Sequence, residues 1–558
     1  MTRPLPLRLI LALAAVMLLP ACRPPAPAPA APAPPALVVI LTVDQLKADY
    51  LSRFDGQWRH GMRRLLEHGA VFADTRFPYL NTVTCAGHAT IATGSVPATH
   101  GVILNAWYRR TLGRQASCTH DETVTTVPYD GAPEGERHSA AMLQVPTIGD
   151  RLRDRTPGSR VVTLSLKPRS AIMLGGHQPT AVTWFGSGRG WATSSAFADA
   201  PVPEVAAWVA AHPVDRFRTE TWERSLGPGD YAMPDDGAGE RALPGWTAEF
   251  PHPLAGAPGT PEDQFYELWQ ASPYADEYLG AMAAGLVESM GLGRQDTPDY
   301  LGVSFSSLDL IGHNFGPDSQ EVQDALVRLD RTLGTLFNDL DRLVGPDRWV
   351  VALSSDHGVS PVPEARRLAG LDAGRIPTRV VGAAVDAALA TVLGPGPHVA
   401  RVDYTEVYLT DETRARLTAS PDAPDAITAA LEAIRQIPGI EAAFESRTIA
   451  GARQDADPLV RAAAHSHHPG QSGDLVAIPR PYWFFVTGPT AESGSAATHG
   501  THHDYDVAVP LIFMGAPFAP GRYDEPASPA DLAPTLAATI DLPMPGVDGR
   551  VLERARRR

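Results

Sequence analysis

A threonine in front of a run of small residues is the first candidate for chemistry in this sequence. The β-branched residues Thr82–Thr84 lead into Cys85 and a small, apolar segment that ends near Ala92, a pattern typical of a strand followed by a helix. A hydroxyl at that turn would lie beside unpaired N–H groups at the positive end of the helix dipole, which suits a phosphate. Alone, Thr84 is more often a simple helix cap, so other residues must decide.

Carboxylate and imidazole side chains stand in four clusters elsewhere in the chain. They are Asp44, the pair Asp309 and His313, the adjacent pair Asp356 and His357, and His499. Oxygen and nitrogen donors of these kinds suit Zn²⁺ without any thiolate. With the Thr84 oxygen they suffice for two metal ions, and such a pair can hold the attacking and leaving oxygens of a phosphoryl transfer. Each cluster alone is more often a cap, a surface pair or a loop residue.

The elements that must position these residues alternate between strands and helices. Strand-like apolar runs occur at Ala36–Val43, Arg160–Leu166, Tyr300–Phe305, Trp349–Leu353 and Val507–Met514, with helical patterns such as Trp58–Gly69 and Ser319–Leu343 between them. This alternation predicts an α/β fold with a mainly parallel central sheet flanked by helices. Because ligands bind at the carboxyl ends of such strands, the polar residues after each run are expected to meet at one edge.

Two segments interrupt the alternation, within a single domain predicted over residues 36–558. Residues from about 170 to 298 are rich in Gly, Pro and Trp and are interpreted as an inserted cap. Residues from about 368 to 483 begin with an Ala-rich helical patch and are interpreted as a smaller α+β insertion. The chain shows no internal repeat.

The N-terminus has the pattern of an export signal. Two arginines precede the apolar run Leu9–Leu19, which is too short to span a membrane and is followed by Ala21 and Cys22. We therefore expect a signal peptide over 1–22, of the lipoprotein type with a lipid on Cys22, while cleavage after Ala21 without lipidation stays open. The Pro/Ala-rich residues 23–35 predict a stiff linker. The expected location is the periplasm or cell envelope, with membrane contact only through that anchor.

Charge and cysteine content narrow the classes of partner. The formal net charge of −16 argues against non-specific nucleic-acid binding, which requires a basic surface. Besides Cys22 the chain has only Cys85 and Cys118. In an exported protein these two can form a disulfide that holds the segment beside Thr84, although two free buried thiols remain the alternative. We expect a monomer that acts on a small molecule.

The combined motifs resemble the alkaline phosphatase superfamily. The matching residues are Thr84 with Gly87–His88, Gly94 with Thr99–Gly101 and Asn105, Lys167–Arg169, Asp309 with Gly312–His313, Asp356–Gly358, His499–Gly500, Asp531–Thr535 and Asp548–Arg550. More narrowly, the chain is similar to the phosphate-irrepressible alkaline phosphatases of the bacterial envelope that use a single threonine. These enzymes are related to the nucleotide pyrophosphatase/phosphodiesterases, and the resemblance covers nearly all of residues 37–552.

The resemblance implies a zinc-dependent phosphate monoester hydrolase with a phosphothreonine intermediate and inorganic phosphate as product. One of two Zn²⁺ ions would be held by Asp309, His313 and His499, and the other by Asp44, Asp356 and His357. Thr84 would be both nucleophile and metal ligand. Asn105, the backbone N–H of Cys85, Lys167 and Arg169 would bind the phosphoryl oxygens and stabilise the transition state.

Alternatives remain at this point. A phosphodiesterase or nucleotide pyrophosphatase of the same fold is the main one, although a diester has less charge for Lys167 and Arg169 to bind. A sulfatase would need Cys85 in a different motif, and a non-catalytic binding lipoprotein would not need every ligand. Asp/His sites also accept Mn or Co. One departure from the family is His502–His503, interpreted as outer donors near the metal or as a perturbation of the pH dependence.

Overall fold

A ten-stranded mixed sheet forms the centre of the protein in a computed structural model, which describes residues 1–2, 33–131, 135–186, 189–488, 490–491 and 493–557. In chain order its strands are β1 (Leu37–Val43), β2 (Ala70–Phe72), β3 (Thr126–Pro128), β4 (Val161–Ser165), β5 (Ala181–Gly186), β6 (Gly190–Ser194), β7 (Asp299–Phe305), β8 (Trp349–Ser354), β9 (Leu511–Gly515) and β10 (Gly521–Tyr523). Their order across the sheet is β10-β2-β9-β8-β1-β7-β4-β5-β6-β3.

The middle of this sheet is parallel. Neighbouring strands from β8 through β1, β7 and β4 to β5 run in one direction, whereas β9 pairs antiparallel with both β8 and β2, and β6 pairs antiparallel with β5 and β3. The predicted α/β class with a mainly parallel sheet is confirmed. The last predicted strand is shorter than expected, because a turn of helix at Asp504–Val507 precedes β9.

Both faces of the sheet are buried, which explains the unbroken apolar runs. In β1, Val39, Leu41 and Val43 pack into one core, whereas Val38 and Ile40 pack into the other. The first face is covered by helices Gly61–His68, Pro273–Ser289 and Gln320–Leu343, and the second by Thr84–Thr93, Ile148–Arg155 and Leu532–Ala537. Two further helices, Pro168–Gly175 and Ser307–Phe315, begin just after β4 and β7.

The segment predicted as a cap at about 170–298 includes part of the central sheet. β5 and β6 lie within it, so the part outside the sheet begins after Ser194 rather than near residue 170. The surrounding Gly- and Trp-rich composition hides these two short strands in the sequence. The rest contains helices Pro203–Ala211 and Gln264–Gln270, and it buries Trp222 and Trp269 against the first face.

The segment predicted as an α+β insertion at about 368–483 has a sheet and a core of its own. Its four strands are Val399–Asp403, Glu406–Leu409, Leu475–Pro479 and Ile440–Glu445, in that spatial order. Its helices are Thr378–Leu393, Asp411–Ala419, Ala423–Arg435, Ser446–Ile449 and Pro458–Ser466. A separate cluster that includes Val385, Ile434 and Ala477 fills the space between this sheet and its helices.

The predicted signal peptide and most of the Pro/Ala-rich linker fall in residues 3–32, which lie outside the described residues. The lipid on Cys22 and the membrane anchor therefore stay predictions. Within the described part of the chain, no helix combines the length and the apolar character needed to cross a bilayer.

Candidate metal and phosphate site

Two groups of three metal-ligand side chains meet at the carboxyl ends of the parallel strands. One group is Asp309, His313 and His499, and the other is Asp44, Asp356 and His357. Within each group the donor atoms lie within 4.8 Å of one another. The rings of His357 and His499 stack with centroids 3.4 Å apart, so the two groups adjoin. The structure thus brings together all six residues that the sequence predicts as metal ligands.

The donor atoms of each group point at a common space. In the first, Oδ1 of Asp309 is 3.2 Å from Nε2 of His313 and 3.7 Å from Nε2 of His499. In the second, Nε2 of His357 is 3.3 Å from Oδ1 of Asp44 and 3.3 Å from Oδ2 of Asp356. These separations are close to the edges of a tetrahedron with metal–ligand bonds of about 2 Å.

The three imidazoles are held in the tautomer that a metal ligand needs. Nδ1 of His313 donates to the carbonyl of Ala497 at 2.8 Å, Nδ1 of His357 to that of Gly358 at 2.9 Å, and Nδ1 of His499 to that of Thr82 at 2.9 Å. A proton fixed on Nδ1 leaves the lone pair of Nε2 free. This backbone support is the usual arrangement behind metal-binding histidines.

The charge of the site also fits bound cations. Asp44, Asp309 and Asp356 are all buried, and Oδ1 of Asp44 and Oδ2 of Asp356 have no hydrogen-bond partner among the described residues. Burial and the neighbouring carboxylates raise the pKa of Asp44 well above its usual range. Burial acts in the same direction on Asp309, but His313 and Lys167 outweigh it and lower the pKa of Asp309. Bound divalent cations would neutralise buried carboxylates that lie this close together.

Thr84 begins the helix Thr84–Thr93, which ends at Gly94 with a left-handed φ of 71°. Val83 occupies the cap position and makes no side-chain cap bond, so the interpretation of Thr84 as a simple cap does not describe the structure. The Thr84 hydroxyl oxygen is buried and lies 3.4 Å from Nε2 of His357. It therefore stands beside the second donor group and at the positive end of a helix.

Asn105 and Lys167 lie beside these groups, and the positive charge of Arg169 acts on Lys167. The backbone N–H of Cys85 donates to Oδ1 of Asn105 at 2.8 Å, which leaves the Asn105 amide NH₂ as a donor. The resemblance assigns this Cys85 N–H to phosphate, whereas in the structure it binds Asn105. The Lys167 ammonium donates to Oδ2 of Asp44 at 2.5 Å and to Oδ2 of Asp309, so it joins the two groups. Nε of the half-buried Arg169 has no hydrogen-bond partner among the described residues.

Two supporting residues were not assigned a role from the sequence. The Gln45 amide donates to Oδ1 of Asp309 at 2.7 Å, and its backbone N–H donates to Oδ1 of Asp356 at 3.3 Å, with a left-handed φ of 68°. Nδ1 of His88 lies 2.9 Å from the carbonyl of Thr84 and 3.2 Å from Oδ2 of Asp356. The position of Gln45 directly after Asp44 and the i+4 spacing of His88 from Thr84 are the signals that sequence offers.

Known proteins are similar to this one in fold and, over most of the chain, in sequence. Residues 38–506 match the family described as type I phosphodiesterase / nucleotide pyrophosphatase. The chain belongs to this family.

Several bacterial alkaline phosphatases are similar to most of this chain. The chain is 30% identical to alkaline phosphatase PhoK of a Sphingomonas species, over 93% of this chain and 91% of PhoK. It is also 30% identical to alkaline phosphatase PafA of Elizabethkingia meningoseptica, over 92% of each. The crystal structure of PafA superimposes with a TM-score of 0.84 at 28% identity, covering 94% of this chain and 99% of PafA.

A more distant solved structure shares the fold alone. Murine ectonucleotide pyrophosphatase/phosphodiesterase 5 superimposes with a TM-score of 0.54 at 13% identity. The predicted membership of the alkaline phosphatase superfamily is confirmed, and so is the prediction of an enzyme of the alkaline phosphatase class.

Proposed function

We propose that the protein is a zinc-dependent phosphate monoester hydrolase that forms a phosphothreonine intermediate and releases inorganic phosphate. The observation that carries the proposal is the position of the Thr84 hydroxyl, 3.4 Å from Nε2 of His357 at the start of a buried helix. The two adjoining donor groups support two Zn²⁺ ions, one on Asp309, His313 and His499 and one on Asp44, Asp356 and His357. The alkaline phosphatase relatives support the reaction class.

The protein's own residues account for binding and for the nucleophile. The Thr84 oxygen attacks phosphorus, the ester P–O bond breaks, and the alcohol leaves with a proton. Water then attacks the phosphothreonine, which restores the Thr84 hydroxyl and releases phosphate. When bound, the zinc ions would supply positive charge that favours ionisation of a hydroxyl and neutralises the oxygen of the leaving group.

Asn105, Lys167 and Arg169 bind the phosphoryl oxygens in this proposal. The Asn105 amide is oriented by the Cys85 N–H, so its NH₂ is available as a donor. Lys167 pairs with one carboxylate of each donor group, and a carboxylate that ligates a metal competes less for the ammonium. Arg169 adds a guanidinium whose planar fork matches phosphoryl oxygens. Two cations suit the dianion of a monoester better than the single charge of a diester.

The alternative is a phosphodiesterase or nucleotide pyrophosphatase, favoured by the description of the matching family. Hydrolysis of p-nitrophenyl phosphate and of its methyl diester should be compared in wild type, Thr84→Ala, Lys167→Ala and Arg169→Ala, with zinc content measured in each. We expect Thr84→Ala to abolish both activities and the other two variants to lose roughly 10²–10³-fold in kcat/KM on the monoester only.

The exposed Arg155 provides the matched control, since it ends the helix Ile148–Arg155 before β4, whereas Lys167 and Arg169 follow that strand. A wild-type preference for the diester would instead establish the diesterase. Equal losses on both esters in Lys167→Ala and Arg169→Ala would refute the monoester-specific role given to these two cations.

We further propose an exported, monomeric protein in the periplasm or cell envelope that takes small phosphate esters and has no nucleic-acid partner. The disulfide between Cys85 and Cys118 supports an oxidising compartment, and the net charge of −16 supports the absence of a nucleic-acid partner. The intact mass of the mature protein, purified from the envelope, tests the cleavage before Cys22 and its lipid.

A further inference from the structure

A third group of metal-ligand side chains lies outside the site described above. Glu441 belongs to the strand Ile440–Glu445 of the inserted sheet, whereas His502 and His503 directly precede the helix Asp504–Val507. Oε2 of Glu441 is 3.7 Å from Nε2 of His502 and 3.8 Å from Nε2 of His503, and the three donor atoms lie within 4.8 Å of one another. The two imidazoles thus face one carboxylate rather than the two buried donor groups.

The pKa values of both imidazoles are lowered although a carboxylate faces them. Burial and the neighbouring His503 lower the pKa of His502 to about 4, and burial also lowers the pKa of His503. Nδ1 of His502 is buried and has no hydrogen-bond partner among the described residues. The ring centroids of the two histidines are 4.2 Å apart. The two rings and the Glu441 carboxylate thus present three donor atoms to one space, an arrangement that suits a cation.

One contact competes with metal binding. Nε2 of His503 lies 3.0 Å from the carbonyl oxygen of Pro479, a hydrogen bond that requires a proton on this nitrogen. A metal bound through Nε2 would replace that bond, so His503 is the weakest of the three donors. Among the described residues, no hydrogen bond competes in this way at the facing atoms of Glu441 and His502.

We propose that Glu441, His502 and His503 form a third divalent metal site, separate from the two metals of the proposed hydrolase. Two imidazoles and one carboxylate are a donor set that suits Zn²⁺, with the remaining position open to water. The Glu441 side chain is 36% exposed, so an ion at this site can enter from and return to the solvent.

The place of this site in the fold gives it a consequence. His502 and His503 follow His499 on one loop, in which the backbone N–H and hydroxyl of Thr501 both donate to Oδ2 of Asp506, at 2.8 and 2.6 Å. Glu441 lies in the inserted sheet. An ion held by all three side chains therefore ties the inserted sheet to the loop that carries a ligand of the first donor group.

Zinc binding to the purified holoenzyme tests the proposal. Holoenzyme should be dialysed to constant zinc content and then titrated with Zn²⁺ alone, with bound metal counted by elemental analysis after equilibrium dialysis. We expect wild type to bind one additional Zn²⁺ per chain and Glu441→Gln and His502→Ala to lose that one equivalent. The zinc already present and the basal activity should be unchanged in both variants.

Matched controls and a second measurement make the result decisive. Glu445→Gln changes another glutamate of the same strand, and His68→Ala removes an exposed histidine elsewhere, so both should bind zinc like wild type. Added Zn²⁺ should also raise the thermal midpoint of wild type but not of Glu441→Gln. Equal uptake in wild type and Glu441→Gln, or no additional zinc in wild type, would overturn the third site. This comparison holds even if His502→Ala fails to fold, because Glu441→Gln keeps the shape of the side chain.

Discussion

Gly87→Ala tests whether the position of the Thr84 helix controls catalysis. Gly87 lies one turn into the helix Thr84–Thr93, where the helix touches the backbone that carries Asp356. A Cβ at this position would overlap the carbonyl oxygen of Asp356 and would lie 2.7 Å from its carbonyl carbon and its Cα. All of these atoms belong to buried backbone, so no flexible side chain can move aside.

The size of the effect follows from that overlap. Carbon atoms pack at about 3.5–4.0 Å, so the helix and the Asp356 backbone must separate by roughly 0.8 Å or more. Thr84 would then move relative to His357, its neighbour in the site. Misplacement of a reacting group by about 1 Å can cost roughly 10²-fold in rate. We expect kcat/KM of Gly87→Ala to fall by roughly 10–100-fold, together with about 1–3 kcal/mol of unfolding free energy from overpacking.

The assay is hydrolysis of p-nitrophenyl phosphate by zinc-loaded enzyme, with stability from chemical denaturation. Gly334→Ala is the matched control. Gly334 lies on the helix Gln320–Leu343, which covers the other face of the sheet, and a Cβ at this position would lie 2.7 Å from Cβ of His60. This control should lose a similar amount of stability and keep its activity. Wild-type kcat/KM in Gly87→Ala, or an equal loss of activity in Gly334→Ala, would refute the reasoning.

Three further outcomes are expected. Removal of metal by a chelator should abolish activity. It should also lower the unfolding free energy by about 4 kcal/mol, compared with enzyme in a free zinc concentration of about a thousand times Kd. Unchanged stability in calorimetry would contradict this. Cys118→Ser opens the disulfide to Cys85, 33 residues away, and should cost about 4 kcal/mol in the loop-entropy view, measured by denaturation with and without reductant. Burial raises the pKa of Glu321 to about 8, so between pH 4.5 and 8 the folded protein keeps a proton that the unfolded chain releases. The unfolding free energy therefore falls as pH rises through this range. Glu321→Gln should reduce the decrease of the thermal midpoint between pH 5 and 8, and an unchanged decrease would exclude Glu321 as its cause.

The central strands and the metal-ligand residues that follow them could be predicted, because short stretches of sequence identify both. The apolar run of β1 is buried on two faces, so it stands out from its neighbours, and Asp44 follows it immediately. Asp356 likewise follows a buried apolar strand, β8. In contrast, β5 and β6 are short and lie among glycines and tryptophans, so composition alone assigned them to an insertion.

The contacts that refine the site could not be predicted, because they depend on distant parts of the chain. The sequence predicts Lys167 at the phosphoryl oxygens, whereas the structure pairs it with Asp44 and Asp309. His502 and His503 were interpreted as outer donors of the metals, whereas they face Glu441. Glu441 carries no signal of its own in the sequence, because a glutamate on a half-exposed strand is ordinary.

The dispersal of the donors along the chain determines when the site can exist. The group that begins with Asp309 is complete only at His499, so a ribosome has made most of the protein before the last ligand emerges. β9, at Leu511–Gly515, then has to insert beside β8 before the sheet edge is whole. In the proposed hydrolase, metal binding by Asp309, His313 and His499 is consequently a late event in maturation, and a chain that ends before His499 would leave Asp309 and His313 without their third ligand.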